Sequence, residues 1–314
     1  MNRQWAAISV PMRPEALDDV SLTLQRLVGS TFAVETRPHS AADEWPVTAH
    51  AYVRPGEDQD ATRRQLLRAL DMLRIAGDGI VGPAWESFLD ADAYRTSWRD
   101  SFEPLAVGRR LVIVPAWQEQ PPDQADRIPV YLDSTMAFGT GRHPSTQLAL
   151  AALEDSVTPG AVVVDVGTGS GVLAIAAVKL GAARVYAFDR DPEAGTAAST
   201  NFRRNGVSDR IVLRVPSTTP SAPEPAALVV ANIVASVHVK LMADYAGLLT
   251  PAGRLLLGGV LDARVDDVVA AARSFGLSLN AEAAADDWRL LDFTRAAAPA
   301  GFAQSEDAMK GRSE

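Results

Sequence analysis

From residue 162 onward, short apolar runs alternate regularly with segments whose hydrophobic residues recur at helical spacing. Continuous apolar runs are typical of strands that are buried on both faces of a parallel sheet. The alternation of runs and helices therefore predicts a doubly wound α/β sheet. Two later apolar runs, residues 277–284 and 288–293, are separated by only a short turn, and they predict an antiparallel hairpin at the end of the sheet.

The N-terminal part of the chain has a different pattern, in which a strand, a helix and a strand occur twice. Apolar positions alternate in the predicted strands and recur every three or four residues in the predicted helices. This succession predicts a small α+β domain with a ferredoxin-like, split βαβ layout. The predicted strands are residues 5–10, 31–35, 47–53 and part of 79–88, and the predicted helices are residues 14–28 and 58–75.

These patterns divide the chain into four segments. We predict the small α+β domain over residues 1–88, a connecting helix and linker over 89–110, the α/β domain over 111–295 and a disordered tail over 296–314. Aromatic residues recur every four positions in the connecting segment, which indicates the packed face of a helix. These residues are Tyr94, Trp98 and Phe102.

Length and composition agree with two folded cores. The chain has 314 residues, of which 47% are hydrophobic, and it exceeds the size at which one core usually suffices. No apolar run is long enough to span a bilayer and the N-terminus lacks the apolar stretch of a signal peptide, so a cytoplasmic protein is expected. The sequence contains no cysteine, which excludes disulfides, thiol nucleophiles and thiolate metal sites, and no metal site is predicted.

The formal net charge of -9 bears on the possible partners. Proteins bind duplex nucleic acids through many Lys and Arg contacts to phosphate, so no direct nucleic-acid partner is expected. An acidic surface suits a basic protein partner better. The alternative, that the acidity only keeps the protein soluble, has equal standing.

A glycine-rich stretch, Asp165–Gly171 (DVGTGSG), follows the first strand of the predicted α/β sheet and precedes a helix. Glycines in such a loop allow the backbone to approach a ligand closely, which makes Gly167 and Gly169 candidate cofactor contacts. A nicotinamide-binding fingerprint requires its third glycine at position 172, which is valine. Asp165 would repel a pyrophosphate and tolerates a cation, so the stretch favours the cationic cofactor S-adenosylmethionine.

Two aspartates follow the second strand of the predicted sheet. Asp189 ends that strand, 22 residues beyond Gly167, where a carboxylate can accept hydrogen bonds from both hydroxyls of a ribose. The competing interpretation is a cap for the next helix, and Asp191, which precedes Pro192, is the better candidate for that role. We therefore predict that Asp189 binds the ribose of the cofactor.

Asn232 ends another strand of the predicted sheet, at the edge where open parallel sheets bind their ligands. Its amide can orient the methionine part of the cofactor or accept a hydrogen bond from an incoming amine. A structural cap for the following helix is the competing interpretation. The chain lacks an Asn-Pro-Pro-Tyr motif, the type that enzymes use to methylate planar amide or base nitrogens, so an aliphatic amine is the favoured acceptor.

The stretch Met136–Thr146 (MAFGTGRHPST) closely resembles the signature that precedes the cofactor-binding domain in the PrmA family, the bacterial methyltransferases of large-subunit ribosomal protein eleven. The resemblance extends over residues 90–295 through several motifs in the same order, and it is limited to the general pattern before them. The further matches are SWRDSFEP at 97–104, GRRL at 108–111, VPAW at 114–117, ANI at 231–233 and GGVL at 258–261.

This resemblance implies a class I methyltransferase that uses S-adenosylmethionine, with the N-terminal domain selecting the substrate. The implied substrates are the lysine side-chain and N-terminal amines of that ribosomal protein, which is a basic partner. Methyltransferase sheets also commonly have an antiparallel hairpin at one edge. By motif matching, the implied cofactor contacts are Thr146, Gly167, Asp189 and Asn232, with Phe138 and Thr140 lining the same pocket.

The chain departs from the family pattern at three places. Arg142 and Ser145 stand where threonines are common, and Ser134-Thr135 stands where Pro-Gly is common. A guanidinium in place of a hydroxyl at the lip of the pocket can alter substrate choice or turnover, so the exact substrate is less firmly predicted than the cofactor.

Thr146 and His143 lie where a helix begins in this stretch. The hydroxyl of Thr146 can cap the helix or contact a ligand. His143 precedes a proline and has no evident carboxylate partner, so we predict a structural hydrogen-bonding role and assign no general base. Three alternatives stay open: a cofactor-binding module without catalysis, a nicotinamide-dependent oxidoreductase, and a methyltransferase of another protein or amine.

Overall fold

The computed structural model describes residues 4–28, 32–36, 45, 47–53, 56, 58–76, 81–90, 103–133 and 141–295. Most of the predicted connecting helix, the two predicted pocket residues Phe138 and Thr140, and the predicted tail lie outside the described residues. The strands of the described part form three sheets, which have four, seven and three strands.

The N-terminal sheet consists of four antiparallel strands with two helices packed on one face. Its elements are β1 (Gln4–Met12), α1 (Leu17–Val28), β2 (Phe32–Thr36), β3 (Val47–Val53), α2 (Gln59–Ala76) and β4 (Trp85–Asp90). The order of the strands is β2-β3-β1-β4, which is the ferredoxin-like order and confirms the predicted layout. Ala6, Ile8 and Val10 of β1 are fully buried and point into the core that the sheet shares with its helices.

A small sheet of three strands follows in the chain. It contains β5 (Leu105–Val107), β6 (Leu111–Pro115) and β7 (Ile128–Leu132), with β5 antiparallel and β7 parallel to β6. The sequence pattern missed β5, which lies in the range assigned to the linker. A strand of three residues is too short for its alternation to be recognised.

The large sheet has seven strands in the order β10-β9-β8-β11-β12-β14-β13. Only β14 runs antiparallel to its neighbours, and it forms a hairpin with β13 at the edge of the sheet. This arrangement confirms the predicted parallel sheet with a C-terminal antiparallel hairpin. The strands are β8 (Val162–Val166), β9 (Arg184–Phe188), β10 (Ile211–Arg214), β11 (Ala226–Asn232), β12 (Leu249–Leu261), β13 (Leu277–Ala285) and β14 (Trp288–Arg295).

Helices cover both faces of the large sheet. They are α3 (Pro144–Ser156), α4 (Val172–Leu180), α5 (Pro192–Arg204), α6 (Ala235–Leu248) and α7 (Val265–Ser274). Neighbouring residues of β8 point into two separate cores, Val163 into one and Val164 into the other, and this explains the continuous apolar run in the sequence. Helix α6 begins at Ala235, directly after the end of β11.

A buried carboxylate joins the small sheet to the helices of the large one. Glu154 of α3 accepts hydrogen bonds from the backbone N–H groups of Arg109 and Arg110, at 2.9 and 2.8 Å, and from that of Leu111. Gly108 has a φ of 57°, and a Cβ there would lie 2.6 Å from a carboxylate oxygen of Glu154. The glycine is therefore required for this turn, which the sequence presents as the GRRL motif.

The N-terminal sheet also packs directly against the large sheet. Leu261 and Trp288 belong to the same apolar core as Ile8 and Leu17, although they lie at the far ends of β12 and β14. The two sheets therefore share a hydrophobic contact close to the carboxyl end of β12. Among the helices that the structure describes, none combines the length and apolarity that crossing a bilayer requires.

Candidate functional site

A cavity of about 380 Å³ lies at the carboxyl ends of β8, β9 and β11. Ligands of open α/β sheets bind at this edge. Five of the seven predicted cofactor contacts belong to described residues, and four of these five line the cavity: Gly167, Gly169, Asp189 and Asn232. The other, Thr146, lies behind Asn232.

The backbone of the glycine loop between β8 and α4 runs along the cavity. The N–H groups of Gly167 and Thr168 both donate to the carbonyl of Phe188 at 2.9 Å, which fixes the loop against the end of β9. Gly167 has a φ of 76°, and a Cβ there would lie 2.4 Å from a methyl group of Ile233. The loop therefore needs glycine both for its conformation and for the close approach of the β11 end.

Asp165 lies beneath this loop and is completely buried. Its Oδ2 accepts hydrogen bonds from the hydroxyl of Thr168 at 2.6 Å and from the N–H of Ala174 at 3.1 Å. Its Oδ1 has no hydrogen-bond partner in the described part of the chain. Burial raises the pKa of this carboxyl to about 7, because the ionised form loses its hydration. Asp165 thus fixes the loop to the start of α4.

This shifted pKa predicts a specific dependence of stability on pH. The carboxyl of Asp165 has a pKa of about 7 in the folded protein against an ordinary value of 3.8, so the folded state binds more protons between these values. The free energy of unfolding should therefore decrease as pH rises from about 4 to 7, by an amount on the order of 4 kcal/mol from this group. Asp165→Asn should remove that decrease, measured by urea unfolding across this range.

The comparison with wild type isolates Asp165 from the other titrating groups. Any fixed cost of the Asp165→Asn amide is independent of pH and displaces the whole curve without changing its slope. If the two proteins gave parallel curves of unfolding free energy against pH, the raised pKa would be wrong.

Asp189 lines the cavity at the end of β9 and is largely buried. Its two carboxylate oxygens accept hydrogen bonds from the N–H groups of Gly169 and Asp191, both at 2.9 Å. Burial raises its pKa, and the backbone hydrogen bonds oppose that shift. Each oxygen accepts one of these bonds and keeps lone pairs for a ligand hydroxyl. Asp191 caps α5 by accepting from Glu193 N–H at 2.9 Å, which confirms its predicted role.

Asn232 ends β11 with its two amide atoms in different situations. Its Nδ2 donates to the hydroxyl of Thr146 at 3.1 Å, whereas its buried Oδ1 has no partner among the described residues. A Cβ at Gly258 would lie 2.8 Å from that Oδ1, so glycine is needed beside it. Asn232 lines the cavity, and its amide keeps an unused acceptor. It does not cap α6, whose N-cap is Val234.

Thr146 is almost fully buried in the first turn of α3. The N-cap of this helix is His143, whose Nδ1 accepts from the N–H of Ser145 at 3.3 Å. The predicted structural role of His143 is thus confirmed, and Thr146 uses its hydroxyl to hold Asn232. Burial lowers the pKa of His143 to about 4, so its ring is neutral at physiological pH.

Several cavity residues carry no signal in the sequence. Trp288 of β14 lines the cavity, its ring lies edge-on to His143 with centroids 4.6 Å apart, and its buried Nε1–H has no partner among the described residues. Leu17 and Ser21 of α1 also line the cavity. No local pattern could identify them, because each belongs to an element predicted for packing alone.

The second glycine of the GGVL motif supports the end of β11. Gly259 has a φ of 71°, and a Cβ there would lie 2.5 Å from the carbonyl oxygen of Ile233. The buried ring of His238 in α6 bonds to the carbonyl of the neighbouring Gly258 at 2.8 Å, and burial lowers the pKa of His238 to about 4. The neutral ring therefore donates to this carbonyl and braces the turn that carries Asn232.

Arg142 lies outside the lining of the cavity. Its guanidinium donates to the carbonyl of Glu103, and its own carbonyl accepts from the side chain of Gln147 at 2.8 Å. Burial lowers its pKa. The structure thus shows Arg142 in contact with the start of the small sheet, and a role in substrate choice stays a prediction.

Comparison with known proteins identifies relatives of the whole chain. The family described as ribosomal protein L11 methyltransferase (PrmA) matches residues 4–296. A protein of that name from Symbiobacterium thermophilum is 39% identical over 282 residues, which cover 85% of this chain and 91% of the relative. Another from Geobacter metallireducens is 37% identical over 300 residues, which cover 93% of this chain and 98% of the relative.

A solved structure supports the same relationship. The crystal structure of a ribosomal protein L11 methylase from Lactobacillus delbrueckii subsp. bulgaricus superimposes with a TM-score of 0.58 and 32% sequence identity, and it covers 62% of this chain and all of its own. The solved structure and the sequence relatives therefore indicate the same family. The chain belongs to the PrmA family of ribosomal protein L11 methyltransferases.

Proposed function

We propose that this protein transfers methyl groups from S-adenosylmethionine to lysine side-chain and N-terminal amines of ribosomal protein L11. The observation that carries the proposal is the unused, buried Oδ1 of Asn232, a residue that lines the cavity at the carboxyl edge of the sheet. Membership of the family supplies the substrate, since the relatives are named for that ribosomal protein.

The residues around the cavity suit S-adenosylmethionine. Asp189 offers carboxylate oxygens to a ribose, and Gly167 and Gly169 let the chain pass close to the ligand without side chains. Asp189 places a carboxyl group in the wall of the cavity. A ligand that carries a sulfonium and an ammonium would favour the ionised form of this carboxyl, because opposite charges attract. When bound, this cofactor supplies an electrophilic methyl group.

We assign the acceptor amine to the neighbourhood of Asn232. An amine N–H that donates to the free Oδ1 would be held at the cavity wall, while Thr146 keeps the amide from rotating through its bond to Nδ2. Methyl transfer to an amine is an in-line displacement, so holding the nitrogen in line supplies much of the acceleration. Thr146 thus acts as a positioning residue in this proposal, through Asn232.

The amine must be neutral to attack. A lysine has an ordinary pKa of about 10.4, and an apolar surrounding lowers it by disfavouring the charged form. Leu17, Val237 and Trp288 provide such a surrounding in the cavity wall. The neutral His143 adds no positive charge beside the amine. We therefore assign the loss of the proton to desolvation and transfer to water, and to no protein base.

The N-terminal sheet has a proposed role in selecting the substrate. Leu17 and Ser21 bring its helix α1 to the cavity, so the wall that receives the amine is built partly from this sheet. We assign substrate recognition to residues 1–88 and catalysis to residues 111–295, in a cytoplasmic protein whose substrate is a basic polypeptide.

The decisive experiment is transfer of labelled methyl from S-adenosylmethionine to purified, unmethylated ribosomal protein L11, with mass spectrometry to locate the modified amines. We expect label on lysines or on the N-terminus with wild type, and at least about a hundredfold less with Asp189→Ala, because the ribose loses both hydrogen bonds. Asp209→Ala, which changes an exposed aspartate, is the matched control and should retain full transfer.

The outcomes separate the cofactor from the substrate. Measurable cofactor binding without transfer to ribosomal protein L11 would reject the substrate and leave other basic proteins to be tested. Full transfer by Asp189→Ala would reject the ribose contact. A melting temperature raised by a nicotinamide cofactor and unaffected by S-adenosylmethionine would reject the proposed chemistry.

A further inference from the structure

Two asparagines on α5 face the small sheet, one helical turn apart. Asn201 is completely buried, and Asn205 caps the C-terminus of the helix. The Nδ2 of Asn205 also donates to the carbonyl of Asn201 at 2.8 Å, so the two residues form one connected network. Neither residue lines the cavity.

These side chains bind the last strand of the small sheet as a neighbouring strand would. Asn205 accepts from the N–H of Tyr131 at 2.9 Å and donates to the carbonyl of the same residue at 2.7 Å. The Oδ1 of Asn201 accepts from the N–H of Asp133 at 2.9 Å, two residues further along. Because hydrogen-bonded residues of a strand alternate in this way, the two amides complete the free edge of β7.

The other end of the Asn201 amide holds the glycine loop. Its Nδ2 donates to the carbonyl of Ser170 at 2.8 Å, in a fully buried bond. The next residue of α5, Phe202, packs so closely on Gly171 that a Cβ there would lie 2.4 Å from the ring. Ser170 lies between Gly171 and Gly169, whose N–H bonds to the carboxylate of Asp189. Asn201 is thus one bond away from the loop segment that meets the predicted ribose ligand.

We infer that Asn201 is a positioning residue for the cofactor, an inference that rests on the proposed function. By holding the carbonyl of Ser170 away from the cavity, its amide keeps the loop in the conformation in which Gly169 reaches Asp189. Without this donor the buried carbonyl would lose its 2.8 Å hydrogen bond, so the loop would shift from the conformation that this bond holds. The bond to Asp133 fixes the amide so that it cannot follow such a movement.

The variant Asn201→Asp tests this role because it removes one bond and keeps the other. An aspartate oxygen can still accept from Asp133 N–H, whereas the second oxygen would face the carbonyl of Ser170, acceptor against acceptor. The matched control is Asn205→Asp, which makes the same chemical change one turn away and keeps the bond from Tyr131 N–H without touching the glycine loop.

We expect Asn201→Asp to raise the dissociation constant of S-adenosylmethionine by about tenfold or more, and Asn205→Asp by less than about threefold, as measured by calorimetry. The melting temperatures of the two variants report their structural cost. If Asn201 had a purely structural role, the Asn201 and Asn205 variants would lose the same affinity for S-adenosylmethionine whenever they lose the same melting temperature. If Asn201→Asp does not fold, Asn201→Ala against Asn205→Ala gives the same comparison without a buried charge.

The outcomes are distinct from those of the proposed function because the readout is binding alone. A wild-type protein that does not bind S-adenosylmethionine would reject the proposed function. Wild-type binding with unchanged affinity in the Asn201 variants, or with equal weakening in the Asn205 variants, would reject only the positioning role.

Discussion

Replacing Asn232 with alanine is expected to lower kcat by about a hundredfold or more, while the dissociation constant of S-adenosylmethionine changes by less than about tenfold. The substitution removes the unused Oδ1, which we assign to the acceptor amine, and leaves the glycine loop and Asp189 untouched. An amine without this partner would be in line with the methyl group for a much smaller fraction of time. Single-turnover rates and calorimetry measure the two quantities separately.

A graded series of variants sharpens this prediction. Thr146→Val removes only the hydroxyl that accepts from Nδ2, so it should lower kcat by about tenfold, because the Asn232 amide is then free to rotate. Asn232→Asp keeps an acceptor at the wall and should retain more activity than Asn232→Ala. A kcat within about threefold of wild type for Asn232→Ala would contradict the assignment of the amine.

The second large loss of activity is expected on substitution of Gly259, which packs against the turn after β11. Alanine at this position must adopt a φ of 71° and would place its Cβ 2.5 Å from the carbonyl oxygen of Ile233 and 3.0 Å from its carbonyl carbon. Both atoms belong to the backbone, so the turn that carries Asn232 has to move. We expect Gly259→Ala to lower kcat by about a hundredfold, since a displacement of about 1 Å can have this effect.

Gly276→Ala is a matched control for the backbone strain. Gly276 has a φ of 74°, and a Cβ added there would have no neighbouring atom within 4 Å, so alanine brings the same strain without the contact. Both variants should lose about 1 kcal/mol of stability from φ alone. Only Gly259→Ala should lose activity. Equal activities for the two variants would show that the contact with Ile233 is unimportant.

Gly167 differs from Gly259 in the kind of atom that an added Cβ would meet. A Cβ there would lie 2.4 Å from a methyl group of Ile233, the end of a side chain. Shortening that side chain with Ile233→Ala should therefore restore part of the activity lost in Gly167→Ala. The same second substitution should not rescue Gly259→Ala, because its obstacle is the backbone.

The fold of the large sheet could be predicted from the sequence because its signals are local. Each strand is a short apolar run. Both faces of β8 are buried, so the apolar run in the sequence is continuous. Asp189 and Asn232 could be assigned to one site for a related reason. In a parallel sheet, the residues that end successive strands lie at the same edge.

The parts that could not be predicted depend on contacts between distant segments. The bond between Thr146 and Asn232 joins residues 86 positions apart, and no local pattern distinguishes a hydroxyl that caps a helix from one that holds an amide. Trp288 has the sequence pattern of a buried strand residue, since its side chain meets the cavity only after β14 inserts beside β12. Strand β5 was missed because it is short, and the turn that follows it is held by Glu154 of a distant helix.

The shared wall of the cavity has a consequence for modularity. Leu17 and Ser21 of α1 line the same cavity as Asp189 and Trp288, so the N-terminal domain contributes to the wall of the proposed active site. Exchange of this sheet between relatives would therefore alter turnover together with specificity. In a chimera that keeps the recipient's residues at positions 17 and 21, specificity should change while turnover stays the same. At these two positions, changes that alter recognition are therefore limited by what the reaction tolerates.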